Sequence, residues 1–332
     1  MIFVDPERQD LPSASGFHRL VHCPGGFELE KKIPAQSSKE AESGSRIHKA
    51  LTELLKTGKV NLVGLSDDEK NSFKDCYAQL QIAIKHWKKE DKPETICEER
   101  FWLHDGFKEL MSGEVDVLVM ESGRALIPDF KTGFGEYDEI AVNWQMRCLA
   151  VLVWKNHPGI KEATVCLIQP NKSQNPTLCV YTEDDLKKSY ELILFHLNEA
   201  KKTDAKRSPG DHCKFCRAKG VCKEANSLIE VVANPNSWIP TTPEDKARRL
   251  DMFKIVKKII EESEKIFAKE LLENPDAIPG YRVMVGRKQL MPKESEEAYV
   301  KEQKTLLKNK MIEEGRFEER FVFFEKPSLK RN

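Results

Sequence analysis

Charged side chains interrupt two apolar segments in the stretch GEVDVLVMESGRALIPDFKTG of this 332-residue chain. The segments Val115–Met120 and Ala125–Phe130 are predicted as buried strands, yet they contain Asp116 and Asp129, and Lys131 follows directly. Ionised groups are rare inside strands unless they are paired with another charge or bind a metal. The placement therefore indicates a charged site built on a pair of strands.

The spacing of these residues suggests chemistry on a phosphate. Alternation along a strand places Asp129 and Lys131 on one face and Phe130 on the other. The connection ESGRA predicts a hairpin that brings Asp116 towards Asp129. Two close carboxylates repel unless a cation joins them, and their oxygens suit Mg²⁺ or Mn²⁺, which polarises a phosphoryl oxygen and activates water. Lys131 would stabilise the growing negative charge. From the D-x-K pattern alone, however, a structural Asp–Lys pair at a strand end is favoured.

Two further polar residues fall beside predicted apolar helix faces. His48 follows GSRI on a helix predicted over Ser37–Thr57, where it is either a packed core residue or a nitrogen ligand of the metal. Gln145 interrupts the apolar face of a helix predicted from about Glu139 to Lys155. A buried amide needs hydrogen-bond partners, so Gln145 either braces the site or caps a loop.

Nine cysteines require an intracellular explanation. Cys213, Cys216 and Cys222 form a C-x2-C-x5-C cluster in DHCKFCRAKGVC, and Cys23 lies far upstream. The scattered others are predicted as small core residues: Cys76, Cys97, Cys148, Cys166 and Cys179. In a reducing compartment the cluster favours a metal over disulfides. The spacing alone fits an iron–sulfur cluster and a zinc site about equally, with unligated thiols as the third alternative.

Composition limits the classes of partner. The chain carries 54 basic and 54 acidic side chains and no net charge, so nucleic-acid binding would need local basic patches. Such residues concentrate around the cysteine cluster, where they would bind phosphates or simply be solvated: Lys201, Lys202, Lys206, Arg207, Lys214, Arg217, Lys219 and Lys223. No apolar run approaches the roughly 20 residues of a membrane span. The residues MIFVDPERQD lack the layout of a signal peptide. We therefore expect a cytoplasmic protein without a membrane partner.

Apolar periodicity predicts an α/β chain with a helical appendage. A capping box at Ser66 and Glu69 begins a second helix, and Thr182 begins a long one. Further strands are predicted at Thr95–Leu103, Ala163–Gln169 and Thr177–Tyr181. A charged helix over about 243–273, a short strand near 281–285 and a helix near 294–314 form the predicted appendage.

The order of these motifs resembles the RecB-like branch of the PD-(D/E)XK nuclease superfamily. The matching set is Gly44–His48 (GSRIH), Gly113–Asp116 (GEVD), Asp129–Gly133 (DFKTG) and Gln145. Cys23 with the three downstream cysteines resembles the iron staple of AddB-type and CRISPR-adaptation nucleases, in which four cysteines hold a [4Fe–4S] cluster. The segments SASGFHRLVHCPGGFELEK and HCKFCRAKGVC are especially similar to a phage-associated family of unknown function. The resemblance covers about residues 13–225.

The resemblance implies a restriction-endonuclease-like α/β core, with a central mixed sheet flanked by helices. That nuclease domain would span residues 1–235, with a helical insertion over about 37–92. A mainly helical appendage would occupy residues 236–332. The resemblance also favours iron–sulfur over zinc, with the [4Fe–4S] cluster held by Cys23, Cys213, Cys216 and Cys222.

The same resemblance assigns roles to the charged residues. His48, Asp116, Asp129 and the Phe130 carbonyl would ligate Mg²⁺ or Mn²⁺. Lys131 would assist the attacking water, and Gln145 would position the scaffold or the DNA, which makes Asp116, Asp129, Lys131 and Gln145 the catalytic set. Leu149 stands where relatives commonly have Tyr, which puts part of the substrate contact in doubt. Glu114 would share a strand face with Asp116.

These implications describe a metal-dependent deoxyribonuclease. We expect an exonuclease that acts on single- or double-stranded DNA in phage or bacterial recombination, repair or processing. The chain contains no helicase motif, so an unwinding or recombination partner would be a separate protein. Two other classes stay open: a catalytically weak iron–sulfur DNA-binding recombination factor, and a zinc-binding adaptor.

Overall fold

The computed structural model describes residues 11–33, 39–90, 93–133, 138–233, 242–274 and 277–279. The chain divides into two compact units, residues 1–267 and 268–332. The strand predicted near 281–285 and the helix predicted near 294–314 lie outside the described residues. The domain boundary predicted after residue 235 stays a prediction.

A five-stranded mixed sheet forms the centre of the first unit, with the strands in their order along the chain. The strands are β1 (Glu94–Asp105), β2 (Lys108–Glu121), β3 (Arg124–Phe130), β4 (Glu162–Ile168) and β5 (Thr177–Thr182). β3 and β4 run parallel, and every other neighbouring pair is antiparallel. A parallel pair needs a crossover connection, and a helix between β3 and β4 supplies it.

The helices within the described residues are α1 (Phe17–His22), α2 (Gly26–Lys31), α3 (Lys39–Thr57), α4 (Asp67–Trp87), α5 (Trp144–Asn156), α6 (Glu183–Lys201), α7 (Lys223–Ala233) and α8 (Pro243–Glu273). Short 3₁₀ helices occupy Ala14–Gly16 and Asp211–Phe215. The predicted mixed α/β architecture with helices around the sheet is confirmed. Within the part of the chain that is described, no helix combines the length and apolarity needed to cross a membrane.

Two element boundaries differ from the sequence prediction. α5 begins at Trp144 rather than near Glu139, because the Asn143 side chain caps it by accepting a 3.1 Å hydrogen bond from the Met146 N–H. β2 begins seven residues before Val115, because its pairing with β1 continues to the turn at Gly106. Gly106 has a φ of 58°, which a glycine adopts without strain.

Helices cover both faces of the sheet and give a three-layer structure. Leu149 of α5 and Ile193 of α6 lie in the core on one face, whereas Leu51 of α3 and Leu80 of α4 lie in the core on the other. Each of these side chains is fully buried, and such burial contributes about 1.5–3 kcal/mol per residue. The two faces therefore hold α3 and α5 firmly on opposite sides of β2 and β3.

A glycine in β2 lets the first layer approach the sheet closely. A Cβ atom at Gly113 would lie 2.6 Å from Leu152 Cδ1 and 2.9 Å from the Cβ of Ala14. Any side chain at this position would therefore push α5 and the N-terminal 3₁₀ helix away from the sheet. The glycine of the GEVD motif thus has a packing role.

One buried carboxylate joins the two helices on the opposite face. Glu69 completes the predicted capping box with Ser66 at the start of α4, which the structure confirms. Its Oε1 atom also accepts hydrogen bonds from Ser43 Oγ at 2.7 Å and Arg46 Nε at 3.0 Å, both on α3. The Ser43 hydroxyl, the Ser66 backbone N–H and Arg46 together lower the pKa of Glu69 to about 2.

Glu69→Gln should lower the free energy of unfolding near pH 7 by about 2 kcal/mol, because a charged and buried hydrogen-bond acceptor is lost. The folded pKa of about 2 lies below the unfolded value of 4.5, so this stabilisation is complete above pH 4.5 and is lost as pH falls towards 2. Urea titrations at several pH values measure the difference from wild type. Exposed Glu53→Gln on α3 is the control. A difference that stays constant down to pH 3 would contradict the assignment.

Candidate functional site

Asp116 lies at an irregularity in β2. Met111 and Val115 pack in the core beside α5, whereas Val117 and Val119 pack in the core beside α3 and α4. The alternation of side chains therefore changes phase at Asp116. In β1, Cys97 pairs with Val117 and Glu99 pairs with Val115, and Glu98 between them has a φ of 50°. Irregularities of this kind redirect a side chain, and here Asp116 turns towards α3.

Asp129 lies near the end of β3 and is 2% exposed. Its Oδ2 atom is 2.6 Å from the Lys131 ammonium, and its Oδ1 atom accepts a 2.7 Å hydrogen bond from Gln145 Nε2. Asp129 and Lys131 thus share a face of the strand, as the alternation predicts. Gln145 lies in the first turn of α5 and contacts the Asp129 carboxylate directly. Of the two roles predicted for Gln145, the structure therefore favours bracing the site over capping a loop.

Asp116 connects α3 to the end of β3. Its Oδ1 atom is 3.2 Å from His48 Nδ1, and its Oδ2 atom accepts a 2.7 Å hydrogen bond from the Phe130 backbone N–H. The Phe130 ring turns to the other face and meets the His48 ring edge-on, with centroids 5.7 Å apart. The structure therefore brings together His48, Asp116, Asp129, Lys131 and Gln145 from four elements that are distant in sequence.

The charges of this cluster are strongly linked. Burial raises the pKa of Asp129, and the nearby Asp116 charge raises it further, although Lys131 opposes both effects. Burial also acts against ionisation of Asp116, but the contact with His48, the Lys131 charge and the Phe130 N–H together lower its pKa. Burial acts to lower the pKa of His48, yet Asp116 outweighs it and the pKa is raised. The Lys131 charge and the His48 contact thus offset the mutual repulsion of the two carboxylates.

The donors around the two carboxylates suit a hard divalent cation. Carboxylate oxygens and a backbone carbonyl are preferred by Mg²⁺ and Mn²⁺, and a neutral imidazole can add a nitrogen. The His48 imidazole contacts a carboxylate oxygen of Asp116, and the Lys131 ammonium contacts one of Asp129. A bound ion would coordinate these same oxygens. Among the described residues, no group of three or more His, Cys, Asp and Glu side chains is already arranged around a common ion position. The residue types therefore fit a metal, and its binding would displace existing contacts.

The four cysteines singled out in the sequence line one cavity. Cys23, Cys213, Cys216 and Cys222 surround a space of about 50 Å³, which exceeds the roughly 10–15 Å³ that one water molecule requires. Cys23 directly follows α1, and the other three lie on the segment between α6 and α7. The scattered cysteines behave as predicted: Cys76, Cys97, Cys148 and Cys166 are buried and Cys179 is partly buried.

Backbone contacts hold the two cysteine segments against each other. The Gly25 N–H donates a 3.0 Å hydrogen bond to the Lys206 carbonyl, and a Cβ at Gly25 would lie only 2.1 Å from the Ala205 oxygen. Only glycine permits this approach. The buried Glu30 of α2 accepts hydrogen bonds from Arg19 Nε at 3.2 Å and from the Arg217 backbone N–H at 2.9 Å. These contacts hold the two walls of the cavity against each other.

Two backbone N–H groups point at sulfurs of the cavity, although the four thiols are not already gathered around one ion position. The Ser208 N–H points at Cys23 Sγ and the Gly210 N–H points at Cys213 Sγ, each at 3.4 Å. Such N–H groups stabilise the negative sulfurs of a cluster and tune it. Burial raises the pKa of Cys216 to about 12, so this thiol stays protonated at neutral pH until a metal displaces its proton. His212 also lines the cavity, and its Nε2 atom is buried without a protein hydrogen bond.

Many cations near the cysteines are engaged within the chain. Arg207 binds Glu224 through two hydrogen bonds of 2.7 and 2.8 Å. Other pairs are Lys202–Glu199, Lys214–Asp211 and Lys219–Glu262. Partners of this kind neutralise the charge that a phosphate would meet. The structure therefore favours a structural or solvated role for these residues over phosphate binding.

Some site residues carry no signal in the sequence. Glu30 reads as one of many charged residues in FELEKK, and only the tertiary structure shows that it is buried between α1 and the cysteine segment. The Phe130 N–H acts through the backbone, which no residue type reveals. Glu114 pairs with Arg100 at 2.6 Å and makes no contact with the described carboxylate cluster.

Comparison with known proteins identifies a family. Residues 11–320 match the profile of a family described as a protein of unknown function, DUF2800. Among curated proteins, no sequence matches the chain.

Three solved structures of exonucleases show limited similarity. A protein from Eubacterium rectale, named a candidate exonuclease, is 11% identical with a TM-score of 0.44, and the match covers 70% of this chain and 96% of that one. A phage-related exonuclease from Haemophilus somnus 129PT is 11% identical with a TM-score of 0.28, covering 57% and 92%. An alkaline exonuclease from Laribacter hongkongensis is 10% identical with a TM-score of 0.28, covering 58% and 90%. At TM-scores this low, the similarity says nothing about the activity of this chain.

Lys131→Met should lower the free energy of unfolding by about 3 kcal/mol, because it leaves the buried Asp129 carboxylate without its cation. Asp129→Asn in the same chain removes the unpaired charge, so the double variant should be more stable than Lys131→Met alone. Urea denaturation without divalent metal measures both. Lys187→Met, which removes a solvent-exposed ion pair with Glu183, is the control and should leave stability unchanged. Wild-type stability of Lys131→Met would contradict the assigned pair.

Proposed function

We propose that this chain, which belongs to the DUF2800 family of proteins of unknown function, is a metal-dependent deoxyribonuclease that hydrolyses phosphodiester bonds. The observation that carries the proposal is the meeting of Asp116 and Asp129 at the end of β3, with Lys131 2.6 Å from the second carboxylate. A structural ion pair at a strand end requires only one carboxylate and one cation. A second carboxylate, a histidine and a glutamine also converge here, which a structural ion pair does not explain.

Each residue of the cluster has a distinct task in the proposed reaction. Asp116, Asp129, His48 and the Phe130 carbonyl would hold Mg²⁺ or Mn²⁺. When bound, the ion polarises a phosphoryl oxygen and favours attack by water. Lys131, released from Asp129, would offer its ammonium to the negative charge that develops on the phosphate. Gln145 keeps the Asp129 carboxylate in one orientation throughout, through its 2.7 Å hydrogen bond.

The four cysteines would hold a [4Fe–4S] cluster with a structural task. Their shared cavity and the two N–H groups aimed at the sulfurs support this. Cys23 lies 190 residues before Cys213, so a cluster between them would close a very long loop. By analogy with disulfides, closing such a loop removes unfolded-chain entropy worth roughly 5 kcal/mol. The cluster would therefore keep α1 and α2 on the nuclease core without contacting substrate.

Asp116→Asn should lower Mg²⁺- or Mn²⁺-dependent cleavage of end-labelled DNA by at least about 100-fold, because the transition state loses charge stabilisation at this position. The amide keeps the size of the side chain, so melting temperature should change little. Glu114→Gln, two residues earlier on the same strand, is the matched control and should retain activity. Substrates labelled at either end, single- and double-stranded, show whether cutting starts from an end and with which polarity.

Two results would overturn this assignment. Full activity of folded Asp116→Asn would mean that the carboxylate cluster is not the active site. A wild type that binds DNA but never cuts it, across metals and substrates, would replace the nuclease by a DNA-binding recombination factor.

Cys23→Ser should yield an iron-poor protein without the visible absorbance of the wild type, because three thiolates hold a [4Fe–4S] cluster poorly. Its melting temperature should fall, and nuclease activity should fall with it, although residue 23 takes no part in the chemistry. Cys179→Ser, a partly buried cysteine outside the cavity, is the control and should keep its iron.

Metal analysis after anaerobic purification separates the alternatives. Stoichiometric zinc in a colourless wild type supports the adaptor. Iron retained by Cys23→Ser points to His212 or His22 as the fourth ligand.

A further inference from the structure

Aromatic rings form a partly exposed surface where α5 and α6 meet. We call Trp144, Phe195 and His196 the aromatic platform. The His196 ring meets both others edge-on, with centroids 5.1 Å from Trp144 and 5.2 Å from Phe195. Trp144 and His196 are half-buried, whereas the Phe195 side chain is 56% exposed. A large ring held on rigid helices and left open to solvent is suited to receive another flat group.

The platform adjoins the carboxylate cluster. Trp144 immediately precedes Gln145 in the first turn of α5, and Gln145 donates its hydrogen bond to Asp129. Neighbouring residues of a helix point about 100° apart, so Trp144 lies on the flank of α5 next to the one that carries Gln145. A polymer bound at the carboxylates would reach these rings by following the start of α5.

A cation accompanies the rings. The Arg147 guanidinium lies over the Trp144 ring, 4.7 Å from its centroid. The Arg147 guanidinium donates a 3.4 Å hydrogen bond to the Ala141 carbonyl and also contacts the Tyr181 hydroxyl, and it takes part in none of the ion pairs found among the described residues. Arginines elsewhere in the chain, such as Arg124 and Arg207, pair with glutamates. Arg147 thus lies beside the platform as a partly exposed cation without a carboxylate partner among the described residues.

We propose that the aromatic platform binds the unpaired bases of single-stranded DNA and that Arg147 contacts the adjacent phosphate. The proposal rests on the nuclease assignment, because the site supplies the reason for DNA to be there. Exposed aromatic faces bind bases by stacking in a sequence-tolerant way, and a nearby arginine adds charge. Bases inside a duplex are covered by their neighbours and cannot use the Phe195 face. The substrate class that fits is therefore a single strand or a frayed end.

The inference also explains why exposed apolar groups cluster here. Leu192 lies about one turn before Phe195 on α6 and is 44% exposed, and Val142, two residues before Trp144, is 55% exposed. An apolar surface with an unneutralised cation suits a flexible anion with flat, weakly polar side groups better than it suits an apolar protein surface, which would leave Arg147 buried without a counter-charge.

The test measures binding of fluorescent oligonucleotides to the full chain without added divalent metal, so that no cleavage is required. Phe195→Ala should raise the Kd for an oligo(dT) strand about tenfold, the scale of one stacked base. Phe195→Tyr, which keeps the ring, should restore wild-type affinity. Phe107→Ala, which removes a fully exposed phenylalanine from the turn between β1 and β2, is the matched control and should have no effect.

An abasic strand of the same length separates stacking from phosphate contact. Wild type should bind it more weakly than oligo(dT), and Phe195→Ala should bind both strands with the same affinity. Arg147→Gln should reduce the slope of log Kd against log salt concentration by about 0.7, the value for one phosphate contact on a single strand. Blunt duplex binding should be unaffected by Phe195→Ala.

The outcomes keep the two proposals apart. If Phe195→Ala binds oligo(dT) like wild type, or loses affinity equally for oligo(dT), abasic strand and duplex, the platform proposal is wrong, whatever the cleavage assays show. If the platform variants behave as expected and the wild type never cuts, the nuclease proposal fails and single-strand binding stands.

Discussion

The burial of Asp129 is the constraint on which the site depends. A carboxylate that is 2% exposed cannot stay ionised unless neighbouring groups replace water. Lys131 supplies a charge and Gln145 supplies a hydrogen bond, each within 2.7 Å. Because Gln145 must reach the carboxylate, α5 has to begin at the end of β3, and the Asn143 cap fixes that start. The core contacts of α5 hold the helix on the sheet, and the Asn143 cap places Gln145 at the carboxylate.

The two sides of the sheet contribute unequally to the site. Asp129 faces α5, whereas Asp116 turns towards α3, where His48 meets it at 3.2 Å. Glu69 of α4 accepts hydrogen bonds from Ser43 and Arg46 of α3 and so stabilises the helix that carries His48. The residues that would hold the proposed metal thus come from both helical layers and from the end of β3. Removing contacts far from the carboxylates, such as those of Glu69, can therefore disturb the site through the helices that carry its residues.

α5 connects the proposed chemistry to the proposed substrate. Gln145 points inward to the carboxylates, while Trp144 and Arg147 stack on each other beside Phe195 and His196. α5 therefore carries residues of both the proposed active site and the proposed platform. The cysteine cavity lies where α1 and α2 pack against the segment before α7. Cys23 lines it, and the contacts of Glu30 and Gly25 join the two parts.

Local rules were enough to predict much of this protein. Strand alternation placed Asp129 and Lys131 on one face, and the capping box at Ser66 and Glu69 marked the start of α4, because both depend only on residues near in sequence. The mixed α/β class and the convergence of four cysteines also followed from patterns and resemblance. Other features needed the folded chain. The phase change at Asp116 arises from pairing between β1 and β2, the burial of Glu30 from the packing of α2 on the cysteine segment, and the platform from α6 meeting α5. Contacts between distant segments depend on the packing of whole layers, which no local pattern encodes.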